Sequence, residues 1–157
     1  MFKSSFKKKR NKLLIIEIVS LAFVFLFLYT ACDKINNFDE FQVQLGKSPI
    51  LYKYVTIISI VVPTTEIIIS ILLMTKRFQL VGLYMSFCIM IMFSTYIVLL
   101  LNFSSYIPCS CGGVLESLTW EQHLIFNVGF ATLALVGVFL FPYHDTYCNK
   151  QGKPCTL

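Results

Sequence analysis

Four long apolar runs, separated by short polar connectors, organise the chain. They cover roughly residues 13–31, 54–74, 80–103 and 120–142. Each is about as long as the ~20 apolar residues that carry a helix across a bilayer core. Within the runs the polar residues are placed rather than scattered. Ser59, Pro63, Glu66 and Ser70 recur at helical spacing and so share one face of the second run. Glu66 stands near mid-span, where a carboxylate is costly. It is therefore expected to face the bundle interior, paired or protonated. Pro63 is expected to bend that helix. The third run has a weaker seam of Ser86, Met90 and Ser94, with Cys88 off it as a small apolar filler.

The fourth run opens on a helix-start signal. Thr119 stands as N-cap with Gln122 three residues on, which is a capping box. Glu121 complements the helix dipole, and Trp120 suits an interfacial depth. His123 and Asn127 share a face. Ala131, Ala134 and Gly137 lie along or near it and let another helix approach closely. The first connector, from Cys32 to about Tyr52, predicts a short amphipathic helix. Asn37 would cap it, Asp39 and Glu40 lie in its first turn, and Gly46 ends it. Phe38, Phe41 and Leu45 fall on one side.

Composition agrees with this pattern. The chain is 57% hydrophobic and 13% charged, against about 25% charged in soluble domains. Four spans consume most of its 157 residues, so no sizeable soluble domain fits. The net charge of +5 does not mark a nucleic-acid binder, because its distribution follows a membrane topology. Lys3, Lys7, Lys8, Lys9, Arg10 and Lys12 precede the first span, Lys76 and Arg77 join the second to the third, and Lys150 and Lys153 lie in the tail. Only Lys34, Lys47 and Lys53 lie on the other side. The positive-inside rule then predicts an all-α, integral membrane four-helix antiparallel bundle, N-in and C-in. Residues 1–12 form a basic cytoplasmic start and 143–157 a cytoplasmic tail, in which Cys148 and Cys155 stay reduced. The run Leu28-Tyr29-Thr30-Ala31-Cys32 approaches a lipoprotein cleavage site. Tyr29 replaces the usual branched aliphatic and the apolar run is long for a signal, so an uncleaved span is expected.

Candidate chemistry concentrates in the connector between the third and fourth spans, at Pro108-Cys109-Ser110-Cys111-Gly112-Gly113. In the predicted topology this pair faces a compartment that permits disulfides. A ring closed between Cys109 and Cys111 would be small and strained, and strained disulfides are the labile, electron-passing ones. His123 would lie near the pair and lower a thiol pKa, and Glu116 would take or give a proton. Cys32 ends the first span on the same side and would serve as a resolving thiol. Two alternatives stand beside this redox reading. Cys32 and one of the pair would form a disulfide that only staples the loops, or the two thiolates with His123 would bind a soft metal. His123 alone would more simply bond across helices, and Glu66 would either serve a proton or ligand path or bridge helices.

Several of these pieces resemble one family. Leu28-Tyr29-Thr30-Ala31, Lys34, Phe41, Leu45 and Ser48-Pro49 resemble the first helix and outer loop of DoxX-like membrane proteins. Pro63-Thr64-Thr65-Glu66, leading into Ile71-Leu72-Leu73, is similar to their second helix. The Cys109–Gly113 stretch with Leu118, Trp120, His123 and Asn127 resembles the MauE branch, the methylamine-utilisation type. Many MauE-like loops carry an aromatic where this chain has Gly112-Gly113. The resemblance spans most of residues 13–142 and implies a multi-pass, redox-associated protein of the bacterial inner membrane. It implies support of extracytoplasmic thiol–disulfide exchange, through Cys109 and Cys111, beside a thioredoxin-like protein or an exported redox enzyme. No cofactor motif is visible in the sequence; a quinone, contacted through Glu66, is implied by the resemblance alone. A reading of another class is a non-enzymatic membrane subunit, a scaffold or maturation factor of a larger complex or oligomer, with the cysteine pair structural.

Overall fold

The structure is a computed structural model that describes residues 2–47, 51–103 and 119–141. Five α-helices and one 3-10 turn account for nearly all of them. They are α1 (Phe2–Asn36), α2 (Phe38–Gly46), the turn Tyr52–Tyr54, α3 (Val55–Met74), α4 (Gln79–Phe103) and α5 (Trp120–Leu140). Four of these helical segments are long and apolar enough to cross a membrane, at Asn11–Asn36, Tyr52–Met74, Gln79–Asn102 and Glu121–Leu140. The apolar runs thus become the helices they predict. The main difference is α1, which extends well beyond its run at both ends. Hydropathy marks where a helix can meet lipid. The helix itself continues through the Lys- and Arg-rich start, because those residues are good helix formers.

The long helices form a ring in which α1 packs on α3, α3 on α4, α4 on α5 and α5 on α1. Its interior is apolar, centred on Phe23, Phe27, Ile69, Leu83 and Ala134. Phe23 stacks edge-on against Phe130, at 5.3 Å between ring centroids. Large side chains such as Leu21, Phe25, Ile57, Ile71 and Phe139 stand on the outside. That is the arrangement lipid rewards and water does not.

The expected seams are inside. Ser59, Pro63, Glu66 and Ser70 are all buried on α3, as are Ser86, Met90 and Ser94 on α4. All four of these serines donate back along their own helix: Ser59 to the Thr56 carbonyl, Ser70 to that of Glu66, Ser86 to that of Gly82 and Ser94 to that of Met90. Such back-bonding lets a hydroxyl lie within a membrane helix without an external partner. Cys88 is on the outer surface of the bundle rather than filling its core. The expected capping box is formed: Thr119 Oγ1 accepts from the Gln122 amide, and Gln122 Oε1 accepts from the Thr119 amide at 3.0 Å. Ala131, Ala134 and Gly137 are buried. A methyl group added at Gly137 would stand 3.2 Å from Leu83 and 3.5 Å from Val19, so this is a true close approach.

One expected cap is corrected. Asn37 occupies the N-cap position of α2, but its side chain makes no capping bond. Its amide Nδ2 instead donates to Asp33 Oδ1 at 3.2 Å, and its backbone N–H donates to the Asp33 carbonyl. Because α1 runs on to Asn36, Asn37 is spent closing the last turn of α1. The amphipathic face of α2 is as expected, with Phe41 and Leu45 buried. Gln42 Nε2 ties α2 to α3 through Ser59 Oγ at 3.1 Å.

At the opposite end, Gln79 Nε2 donates to Ser20 Oγ at 2.8 Å, and the Lys76 ammonium meets Glu17 Oε1 at 2.6 Å. Both contacts fasten the tight α3–α4 connection to α1. The second is exposed, so by itself it adds little.

Candidate functional site

Where α1 and α4 end and α3 and α5 begin, the bundle does not close completely. A cavity of about 400 Å³ lies between the helices there. That falls within the roughly 300–1,000 Å³ typical of small-molecule sites. All five helices contribute to its wall, which is mostly Leu, Ile, Val, Met and Phe side chains. Against this apolar lining stand a few polar groups: Thr30, Lys34, Glu66, His123 and Asn127 among them.

Lys34 and Glu66 are the centre of the polar group. The Lys34 ammonium donates to Glu66 Oε1 at 2.6 Å, with the two side chains 13% and 1% exposed. α3 delivers Glu66 on its buried seam. α1 delivers Lys34 by continuing the same buried stripe as Phe23, Phe27 and Ala31. The ammonium also lies 5.9 Å from the centre of the Phe93 ring, within cation–π range. Thr30, one turn before Lys34, stands beside the carboxylate, while its hydroxyl donates to the Phe27 carbonyl at 3.2 Å. A pair buried this deeply is held by its mutual charge. Removing either member strands the other, at a cost of about 3–5 kcal/mol.

Two further polar atoms on this wall are shut off from solvent without a hydrogen bond: Glu66 Oε2 and Asn127 Nδ2. Asn127 is 4% exposed and projects from α5 one turn beyond His123. A buried polar group left in this state costs about 1–3 kcal/mol. The fold therefore holds, at one place, an apolar chamber, an internal ion pair, an imidazole, and a separate donor and acceptor.

Of the residues singled out from sequence, Glu66 and His123 are brought to one cavity. Cys32 is at the last turns of α1, exposed and with a free thiol. Cys109, Cys111 and Glu116 lie outside the described residues, as do Ser48-Pro49 and the tail cysteines. The side chain of Trp120 is outside the described set as well. Among the described residues, no three His, Cys, Asp or Glu side chains converge on a metal-sized site.

The partner of Glu66 was not read from the sequence. Lys34 counted there as a loop charge, although it falls in phase with the buried positions of the first helix. A mid-span carboxylate demands a cation, and Lys34 is the one basic residue on that side carried by the first span's own helix. That phase was the available signal.

A family model described as methylamine utilisation protein MauE matches residues 12–140. No curated protein and no solved structure matches the chain.

Proposed function

The chain belongs to the MauE family of methylamine utilisation proteins, and from that premise we propose that it supports thiol–disulfide exchange outside the cytoplasm of a bacterium. The redox couple is Cys109 and Cys111. The observation that carries the reading is one of attachment: the segment bearing both thiols runs from the end of α4 to the start of α5. These are the two helix ends beside the cavity that holds Lys34, Glu66 and His123.

The exchange balances as follows. A thiolate of an exported partner attacks the Cys109–Cys111 disulfide. One S–S bond breaks, one mixed S–S bond forms, and one of the chain's cysteines leaves as a thiolate. The partner's second thiolate then attacks the mixed disulfide and releases the partner oxidised. Two electrons now reside on Cys109 and Cys111, which take up the partner's protons. His123 and Glu116 set the fraction of thiolate by hydrogen bonding and proton transfer. Cys32, accessible at the end of α1, resolves mixed disulfides that stall. The partner is a thioredoxin-like protein or an exported redox enzyme.

The cavity suits a quinone drawn from the bilayer: it is apolar, of adequate size, and carries hydrogen-bonding groups at Glu66, His123 and Asn127. When bound, a quinone supplies the two-electron acceptor for the dithiol. Asn127 would donate to a ring oxygen, Glu66 would accept from the hydroxyl that the reduced form carries, and the apolar walls would exclude water from it.

The test is thiol trapping in intact cells with a mass-tagged alkylating reagent. Wild type should show Cys109 and Cys111 shifting between oxidised and reduced forms as respiration is blocked and restored. Cys109→Ser should abolish the shift and leave Cys111 reduced throughout, since no disulfide remains for the partner to attack. A pair locked in one state throughout would reject the exchange reading. It would favour a scaffold or maturation subunit in which the cysteines only close a loop.

A further inference from the structure

The two unpartnered polar atoms of the cavity differ in kind. Glu66 Oε2 belongs to a carboxylate whose other oxygen receives the Lys34 ammonium at 2.6 Å. As the carboxylate partner of that ammonium, the side chain presents Oε2 as a hydrogen-bond acceptor. Asn127 Nδ2 is an amide nitrogen and can only donate. Both side chains line the cavity and are almost wholly buried, at 1% and 4% exposure.

An occupant that completes both atoms must offer a donor and an acceptor. It must also be uncharged. An anion would face Glu66, a cation would face Lys34, and either would be stripped of water in an apolar chamber. A ketone, ester or ether offers only acceptors. It would leave Glu66 Oε2 without a partner and set lone pairs against it. A hydroxyl is the smallest group that does both jobs. The rest of the wall narrows the body of the ligand. Phe27, Phe41, Phe93, Tyr96 and Phe126 all face the cavity, and aromatic side chains favour a ring packed against their faces and edges.

We propose that this cavity binds a neutral, apolar, ring-containing molecule through a hydroxyl group, which donates to Glu66 Oε2 and accepts from Asn127 Nδ2. The inference rests on the cavity alone and does not require that the thiols cycle. It has a consequence for them if they do. For a carrier whose reduced form bears hydroxyls where the oxidised form bears carbonyls, preferential binding of the reduced form makes the bound couple the stronger oxidant. That is the direction that drives a dithiol to a disulfide.

Binding of 4-butylphenol and its methyl ether, 4-butylanisole, to the full chain in lipid nanodiscs separates the outcomes. The two probes share a ring and a tail, and the ether has lost only the donor. The phenol should raise the unfolding temperature saturably, and the ether should bind about tenfold or more weakly. Asn127→Leu removes a donor that has no partner in the protein, so the variant should fold. It should weaken binding of both probes, because Asn127 Nδ2 donates to the oxygen that both of them carry. Equal binding of phenol and ether by the wild type would overturn the proposal and leave an apolar pocket whose polar atoms are completed by water. So would failure of both probes to bind, or unchanged affinities for them in Asn127→Leu.

Discussion

Lys34 and Glu66 show how one residue can be expensive alone and stable in company. Each charge is costly inside a bilayer, and at 2.6 Å each offsets the other's cost. Glu66→Leu is therefore expected to lower stability by about 3–5 kcal/mol, because it leaves a buried ammonium without a counter-charge. The double variant Lys34→Met with Glu66→Leu should recover most of that loss, since it removes both charges at once. Thermal unfolding of both in the same detergent decides the matter. A double variant no more stable than the single one would mean that the pair is not what holds these helices. Glu66 and its inward orientation were legible from the i, i+4, i+7 seam with Ser59, Pro63 and Ser70. The identity of its partner was not, because it depends on which face of α1 meets α3.

At the scale of elements, the caps and close approaches say where each helix starts and how near its neighbour lies. Thr119 and Gln122 satisfy two amide donors at the start of α5. Thr119→Ala should cost about 1 kcal/mol, seen as faster amide hydrogen exchange confined to the first turn of α5. No change in exchange there would show that the cap is dispensable. Gly137 permits α5 to lie close to Leu83 of α4 and Val19 of α1. Gly137→Val should overpack that contact and lower stability by about 1–3 kcal/mol, with helix content preserved by circular dichroism. Thr119 and Gly137 were both readable, one from its spacing to Gln122 and the other from its place on a small-residue face. Asn37 stands at the N-cap position of α2 as expected, but its side chain is spent on Asp33 instead of on an α2 amide. The same residue type that caps a helix also closes the turn before it, and the continuation of α1 to Asn36 decided between the two uses.

For the whole molecule, the distribution of Lys and Arg predicts that the end of the bundle bearing the cavity faces away from the cytoplasm. The exposed Cys32 supplies the probe. A membrane-impermeant maleimide should label Cys32 in intact cells and leave Cys148 and Cys155 unlabelled until the membrane is opened. The reverse pattern would invert the topology and place Cys109 and Cys111 in a reducing compartment, where a standing disulfide would not persist. The fold places the polar groups of the cavity at the same end as the helix termini that carry the thiol-bearing segment. The proposed ligand cavity and the thiol-bearing segment therefore attach to one end of one bundle.

The sequence by itself determined the number of spans, the buried seams of α3 and α4, the close-packing face of α5, the cap of α5 and the inward position of Glu66. These are properties of single helices, set by length, period and local hydrogen bonding. Only the tertiary structure decided that Lys34 neutralises Glu66. It alone showed that Asn127 is almost wholly buried, and that the helices leave a chamber between them which the His123 and Asn127 face lines. Those facts depend on how helices are rotated and spaced against one another. Rotation and spacing are settled by the packing of side chains from distant parts of the chain, such as Phe23 on Phe130 and Leu83 against Gly137, and no local pattern encodes them.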